Sequence, residues 1–123
     1  MKLVIGGSFQ GKLDYVKENI CENPSVFECT ESDSIDLSKD VIYHIEKWSL
    51  WCVKNNREPA DDFFEKLKNK DIIVISDDIS CGVVPITKEE RMWREANGRL
   101  LMKISKESQE VHRVFCGIGV RLK

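Results

Sequence analysis

Short apolar runs alternate along the chain with stretches in which apolar residues recur every three or four positions. Residues 3–5 are apolar on consecutive positions, which is typical of a strand buried on both faces of a parallel sheet, and we expect this strand to be central. The clearest strand is predicted at residues 71–76, where four branched aliphatic residues stand in a row. Further strands are predicted at residues 26–29, 40–44, 111–116 and 118–122, and the last two are expected to form a closing hairpin.

The periodic stretches between these runs predict the helices. The first is predicted at residues 12–20, the second starts at residue 45 and ends near residue 55, and the third opens at Pro59. Thr87 and Glu90 have the spacing of a capping box and predict the start of the fourth helix. The inner stripe of that helix is predicted to consist of Trp93, Asn97, Leu100, Leu101 and Ile104.

Strands that alternate with helices predict an α/β fold of three layers with a mainly parallel sheet. No repeat, linker or low-complexity segment interrupts the pattern, so residues 1–123 are predicted to form a single domain. Gly98 lies inside the fourth helix, where glycine lowers helix propensity, and this suggests close packing at that position.

The charge balance argues against a nonspecific nucleic-acid binder. Nineteen basic and twenty-one acidic residues give a formal net charge of −2, and neither sign forms a long block, whereas such a binder normally has a basic excess or stripe. The three aliphatic residues before the first glycines are too few for the hydrophobic region of a signal peptide, and no stretch is long enough to span a membrane. We therefore expect a cytoplasmic protein without nucleic-acid or membrane partners.

The five cysteines are odd in number, widely spaced and without a Cys-x-x-Cys pair. This pattern indicates neither a zinc site nor a disulfide framework. Buried, reduced thiols are expected at Cys21, Cys29, Cys52, Cys81 and Cys116.

The strongest candidate for chemistry is Gly6-Gly7-Ser8-Phe9-Gln10-Gly11-Lys12-Leu13, which fits G-x-x-x-x-G-K between a predicted strand and a predicted helix. In such a P-loop, backbone N–H groups and the helix N-terminus surround a phosphate, and Lys12 reaches the terminal phosphates of a nucleotide. The next position normally holds Ser or Thr, whose hydroxyl coordinates magnesium, and Leu13 cannot do this. The alternative is that the glycines make only a tight turn and that Lys12 is a surface lysine.

Two aspartates follow the clearest strand. In α/β sheets, ligands bind beyond the carboxyl ends of the strands, so Asp77 and Asp78 could hold magnesium in place of the missing hydroxyl. A polar pair after a strand is equally common as a turn or a helix cap.

Two histidines and two arginines are weaker candidates. His44 and His112 lack a nearby cysteine or carboxylate at metal-ligand spacing, and we interpret both as structural. Arg91 and Arg94 lie three residues apart on one predicted helix face. They could contact phosphate groups or substrate, or they could belong to a solvated face.

Residues 76–85 read Ser-Asp-Asp-Ile-Ser-Cys-Gly-Val-Val-Pro, and residues 117–123 read Gly-Ile-Gly-Val-Arg-Leu-Lys. Both segments resemble the bifunctional adenosylcobinamide kinase/adenosylcobinamide-phosphate guanylyltransferases of cobalamin biosynthesis, whose hallmark is Ser-Asn-Glu-Val-Gly-x-Gly-Ile-Val-Pro. The family's loop, Gly-Gly-x-Arg-Ser-Gly-Lys-Ser, is also matched, and its helix spacing is kept. The matching positions are Gly6, Gly7, Gly11, Lys12, Arg91, Arg94, Gly98 and Arg99. The resemblance covers about the first fifteen residues and the last fifty.

The resemblance implies a P-loop α/β domain, commonly a trimer, that uses GTP or ATP with Mg²⁺ to phosphorylate adenosylcobinamide. It also implies a second activity, which transfers GMP from GTP through a guanylylated histidine. The implied partners are a nucleotide, a corrinoid substrate and further copies of the chain.

The chain departs from the family at positions that carry chemistry. Phe9 and Gln10 replace the Arg and Ser of the loop, Leu13 replaces its metal-binding Ser, and residues 77–78 read Asp-Asp instead of Asn-Glu. The middle of the chain is shorter, and neither histidine matches the guanylylated one. We hypothesise that the guanylyltransferase activity is absent.

Three functions remain open from the sequence. The first is a kinase acting on a cobinamide-like alcohol, in which Lys12 stabilises the transferred phosphoryl group and Asp78 recruits magnesium. The second is a homologue without catalysis that binds a nucleotide, a corrinoid or a partner subunit in a regulatory or structural role. The third keeps only the fold.

Overall fold

The computed structural model describes residues 1–7, 11–68, 71–79 and 87–123. Within these ranges the chain forms six strands and four helices, and each was predicted from the sequence. The ends that were predicted differ from the observed ones by at most two residues; for the third and fourth helices only the start was predicted. In chain order they are β1 (Lys2–Gly6), α1 (Lys12–Asn19), β2 (Val26–Glu28), β3 (Val41–Tyr43), α2 (Ile45–Lys54), α3 (Pro59–Lys66), β4 (Ile73–Asp77), α4 (Lys88–Glu107), β5 (Glu110–Phe115) and β6 (Ile118–Arg121). The predicted α/β class is confirmed, and a mainly parallel six-stranded sheet with four helices is consistent with the predicted P-loop NTPase-like fold.

The strands form one sheet in the order β2-β3-β4-β1-β5-β6. Strands β1 to β5 run parallel, and β6 closes a hairpin antiparallel to β5, as predicted. Strand β1 lies between β4 and β5, which confirms its central place. Gly6 at the end of β1 pairs with Asp77 at the end of β4, and β3 is the other neighbour of β4. The carboxyl ends of β1, β3 and β4 therefore meet at one edge, where ligands bind in α/β sheets.

Helices cover both faces of the sheet. Successive side chains of a strand point to opposite faces, so Val4 packs with Val16 of α1 while Leu3 packs on the other side. The cluster around Leu3 includes fully buried side chains from the three remaining helices, namely Trp48, Phe63 and Leu100. Burial of one such side chain contributes roughly 1.5–3 kcal/mol to folding. The predicted three layers are thus α1, the sheet, and α2 with α3 and α4.

Helix α4 begins at the predicted cap. Thr87 Oγ1 accepts a hydrogen bond from the Glu90 backbone N–H at 3.0 Å. The close packing predicted at Gly98 is wrong, because a Cβ atom there would meet nothing within 4 Å. Gly98 borders an open cleft of about 570 Å³ between α4 and the sheet, which also exposes part of Leu101. Neither α4 nor any other helix in the described ranges is long and apolar enough to cross a membrane.

The turn of the β5–β6 hairpin explains one failed expectation. Cys116 and Gly117 have φ angles of 50° and 76°, as a two-residue turn with a primed geometry requires. Cys116 is consequently exposed, contrary to the expectation of a buried thiol. Cys29 and Cys52 are buried as expected. Cys21 is half-buried, and Cys81 lies outside the described residues.

Candidate functional site

The glycine loop joins the end of β1 to the start of α1. A Cβ atom on Gly6 would lie 2.4 Å from the carbonyl oxygen of Val114 in β5, so only glycine fits beside that strand. Gly11 precedes α1 with φ 78° and ψ 31°, a left-handed conformation that favours glycine. The intervening Ser8, Phe9 and Gln10 lie outside the described residues, so their predicted contacts with a nucleotide stay predictions.

Lys12 is buried at the first position of α1. Its side chain is 3% exposed, and its Nζ atom donates a hydrogen bond to the Gly7 carbonyl at 2.7 Å. The same Nζ atom lies 2.6 Å from Asp77 Oδ1. The alternative that Lys12 is a surface lysine is therefore wrong. Its ammonium group lies between the ends of β1 and β4 and is balanced by the Asp77 carboxylate.

Leu13 cannot take the place of a magnesium-binding hydroxyl, because its side chain is apolar. Its half-buried side chain packs against the cluster that includes Val4 and Val16. The candidate metal ligand nearest to Lys12 is the Asp77 carboxylate. Asp77 belongs to a group of three side chains that could bind a metal ion.

That group consists of His44, Glu46 and Asp77. His44 Nδ1 lies 3.0 Å from Glu46 Oε1 and 3.9 Å from Asp77 Oδ2. Each residue offers one ligand atom within 4.8 Å of the other two. Oxygen and imidazole ligands at this spacing could hold a divalent cation.

The neighbouring strands β3 and β4 bring the group together. His44 follows β3 directly and precedes α2 in a left-handed conformation, with φ 59° and ψ 47°. The Tyr43 ring stacks on the His44 ring with centroids 3.8 Å apart. Glu46 lies in the first turn of α2, and Asp77 ends β4. Residues more than thirty positions apart thus meet at the carboxyl edge of the sheet.

Glu46 occupies an electrostatically unfavourable place. It is 3% exposed, and burial raises the pKa of its carboxyl group, with a further contribution from the negative charge of Asp77. Within the described residues, Glu46 Oε2 is a buried oxygen with no hydrogen-bond partner. Burial, and then the same Asp77 charge, also raises the pKa of Tyr43.

Helix α4 packs against the start of α2 through polar contacts. Trp93 Nε1 donates a hydrogen bond to the Glu46 carbonyl at 2.9 Å, and Ser49 Oγ donates to Asn97 Oδ1 at 2.8 Å. Arg91 and Arg94 lie on either side of Trp93 in α4, with Arg91 exposed and Arg94 half-buried. Their predicted contact with phosphate or substrate remains a prediction.

The interpretation of the histidines needs one correction. His44 was considered to lack a nearby carboxylate, yet the structure brings it next to Glu46 and Asp77. His112 also contacts a carboxylate, Glu110, at 2.9 Å, and lies 2.9 Å from the Tyr15 hydroxyl. The sequence signal that was missed is a His-x-Glu pair at the junction of a strand and a helix.

Asp78 is not part of the group formed by His44, Glu46 and Asp77. Its backbone N–H donates to the Gly6 carbonyl at 2.7 Å, which extends the pairing of β4 with β1 by one residue. The predicted recruitment of magnesium by Asp78 stays a prediction. The geometry favours Asp77 as the aspartate nearest to the other candidate ligands.

Comparison with known proteins identifies the lineage. The family model described as cobinamide kinase / cobinamide phosphate guanyltransferase matches residues 31–122, well over half of the chain. The match includes residues 31–71, which lie outside the first fifteen and last fifty residues that carry the resemblance given above. It does not include the glycine loop. No curated protein matches the chain. The chain belongs to the cobinamide kinase / cobinamide phosphate guanyltransferase family.

Proposed function

We propose that this protein is a P-loop kinase of cobalamin biosynthesis that binds GTP or ATP on residues 6–13 and phosphorylates a cobinamide-like alcohol. The observation that carries the proposal is the buried Lys12, held at the end of the glycine loop with its ammonium group at the ligand-binding edge of the sheet. Family membership supports it, because a kinase takes its phosphoryl group from a nucleotide.

The loop would bind phosphate through its backbone N–H groups and the N-terminus of α1. When a nucleotide binds, the Lys12 ammonium group would leave the Asp77 carboxylate and contact the terminal phosphates. One buried positive charge cannot fully balance the carboxylate and the phosphates together. The left-handed Gly11 and the close approach at Gly6 fix the backbone on either side of the phosphate position. Magnesium, when bound by Asp77 and Asp78, would offset phosphate charge.

Phosphoryl transfer then needs positioning more than covalent help from the protein. The alcohol oxygen forms a bond to the γ-phosphorus, and the bond between that phosphorus and the bridging oxygen breaks. The nucleoside diphosphate leaves with the electron pair, and the alcohol proton passes to water. Lys12 would stabilise the negative charge on the transferred group, and Arg91 and Arg94 are proposed to contact phosphate or substrate.

We also propose that the guanylyltransferase activity is absent. Neither histidine is matched to the guanylylated residue, and His112 has both ring nitrogens within hydrogen-bond distance of other side chains. Incubation with radiolabelled GTP is therefore expected to give no stable protein–GMP adduct. An adduct mapped to either histidine by mass spectrometry would refute this part of the proposal.

The second candidate is a homologue that binds a nucleotide or a partner without catalysis, in a regulatory or structural role. The observation in its favour is the combination of an apolar Leu13 with a Lys12 that is already paired with Asp77. Such a protein would bind a nucleotide without needing magnesium.

Calorimetric titration with GTP and with ATP, each with and without Mg²⁺, distinguishes these candidates. The kinase predicts binding that strengthens with magnesium, whereas the second candidate predicts binding that is independent of it. Leu13→Ser restores the hydroxyl at the motif's last position and is expected to raise the magnesium-dependent affinity about tenfold. If neither nucleotide binds under any condition, the proposed function is wrong.

A further inference from the structure

The group of His44, Glu46 and Asp77 has a chemistry of its own. We propose that these three side chains form a binding site for a divalent transition-metal ion, with one imidazole nitrogen and two carboxylates as ligands. The proposal goes beyond the kinase function, since it requires no nucleotide and stands even if the glycine loop binds none.

The side chains already lie close to coordination spacing. His44 Nδ1 is 3.0 Å from Glu46 Oε1 and 3.9 Å from Asp77 Oδ2. Bonds from a metal to nitrogen or oxygen are about 2.1 Å long, so two ligands of one ion lie at most about 4.2 Å apart. The whole set lies within 4.8 Å. Small rotations of the carboxylates would therefore bring all three ligands around one ion.

Glu46 gives an independent indication that a ligand is bound here. Its side chain is 4% exposed, and in the described parts of the chain its Oε2 atom has no hydrogen-bond partner. A buried carboxylate oxygen without a partner is costly in free energy. A cation bound between the three side chains would supply the partner that this oxygen lacks.

The surroundings hold the imidazole of His44 in place. Tyr43 stacks on its ring at 3.8 Å, and its Nε2 atom lies 3.8 Å from Glu28 Oε1. A metal-bound histidine usually donates its second ring N–H to a carboxylate, which fixes the tautomer and the ring orientation. At 3.8 Å the Glu28 carboxylate is beyond hydrogen-bond distance, and a small movement of this mostly exposed side chain would bring it into that role. Nδ1, which already faces Glu46 and Asp77, would be the nitrogen that binds the metal.

The local charge also favours a cation. Glu28, Glu46 and Asp77 bring three carboxylates to the site, and Lys12 balances one of them through Asp77 Oδ1. Asp77 Oδ2 is the oxygen on the side of His44. One carboxylate can therefore contact the lysine and the metal at the same time.

The donor set selects the class of ion. Magnesium prefers six oxygen ligands at strict octahedral geometry, whereas zinc, iron and cobalt also accept imidazole. One imidazole with two carboxylates leaves further coordination positions for water or a ligand oxygen. The donor set of this site therefore favours a transition-metal ion over magnesium.

The test is a titration of the metal-free full chain with CoCl₂, without nucleotide, followed by visible absorption. We expect one cobalt ion per chain, with ligand-field bands and no thiolate-to-cobalt charge-transfer band. A large excess of MgCl₂ should not displace the ion. His44→Gln and Glu46→Gln should each weaken binding about tenfold or more, whereas His112→Gln, the matched histidine control, should bind as the wild type does.

Proton NMR of the wild-type chain provides a measurement that does not depend on the stability of a variant. Paramagnetic cobalt should shift and broaden the ring signals of His44 and leave those of His112 unchanged. The proposal is wrong if cobalt gives no bands, if a charge-transfer band reveals a thiolate site, if both His44→Gln and Glu46→Gln bind cobalt normally, or if the His112 signals are the ones that shift.

Discussion

The two histidines have similar neighbours in the sequence and different surroundings in the fold. Each lies two residues from a glutamate and within about 3 Å of its carboxylate, at Glu46 for His44 and at Glu110 for His112. At His112 the Glu110 carboxylate can only accept, so Nε2–H donates to it, and in the neutral ring Nδ1 then accepts from the Tyr15 hydroxyl at 2.9 Å. Both ring nitrogens are therefore satisfied.

The carboxylates differ more than the rings do. Glu110 is half-buried and also pairs with Lys2 at 3.4 Å. Glu46 is buried, lies beside the negative charge of Asp77 and keeps one oxygen without a partner within the described residues. Satisfied hydrogen bonds and balanced charge indicate a structural role for the His112 cluster, whereas excess negative charge at a strand edge indicates a binding site at His44.

The largest loss of stability is expected for Lys12→Met, in the region around His44. This change removes the ammonium group beside Asp77, and breaking a buried ion pair costs about 3–5 kcal/mol. Because Asp77 is 18% exposed, we expect the lower value, about 3 kcal/mol of unfolding free energy at pH 7, measured by urea denaturation.

Two further variants control this measurement. Lys12→Met combined with Asp77→Asn removes both charges and should recover most of the lost stability. Lys17→Met changes an exposed lysine of the same helix and should cost under about 0.5 kcal/mol. A Lys12→Met protein as stable as the wild type would contradict the buried pair.

A smaller effect is expected in the His112 cluster from Tyr15→Phe. The change removes the hydroxyl that donates to His112 Nδ1, and loss of one such hydrogen bond costs about 1 kcal/mol. Urea denaturation should show this loss, while affinities for cobalt and nucleotide should stay at wild-type values. An altered cobalt affinity in this variant would mean that the two regions are not independent.

The smallest effects are expected in the pH dependence of stability, measured without metal. The pKa of Glu46 is raised above its ordinary value of 4.5, chiefly by burial, so the folded state binds this proton more tightly than the unfolded state does. As pH rises above 4.5, the wild type should therefore lose stability relative to Glu46→Gln. The pKa of Glu110 is lowered below 4.5, chiefly by the hydrogen bond from His112, so the wild type loses stability relative to Glu110→Gln as pH falls through the lowered value. The difference in unfolding free energy between the wild type and each Gln variant should therefore change with pH in opposite directions. The same change at both positions would contradict the different charge surroundings of Glu46 and Glu110.

The fold could be predicted because its elements have strong local signals. Consecutive aliphatic residues in β1 and β4, and the capping box of Thr87 and Glu90, identify buried strands and a helix start without knowledge of tertiary contacts. The errors fell on Gly98 and Cys116, whose surroundings depend on an open cleft and on a hairpin turn. The cleft depends on how α4 packs against the sheet, which no local pattern specifies. The hairpin was predicted, but its two turn residues were not identified, so the exposure of Cys116 was missed.

The site could be predicted only in part, for the same reason. The G-x-x-x-x-G-K spacing identified Lys12, and the end of a buried strand identified Asp77. Glu46 was missed because its meeting with Asp77 depends on β3 lying beside β4. Sheet order is set by packing across the whole domain, and no local pattern of the sequence specifies it.

The central claim is that Lys12 and the glycine loop form the nucleotide site, and calorimetric titration of four proteins with the magnesium complexes of GTP and ATP tests it most directly. We predict that wild type and Lys17→Met bind one of these nucleotides with equal affinity. Lys12→Met, and its stabilised combination with Asp77→Asn, should bind about a hundredfold more weakly, because a charge-assisted hydrogen bond to phosphate is lost. Equal affinity of the wild type and Lys12→Met for the nucleotide would contradict the account.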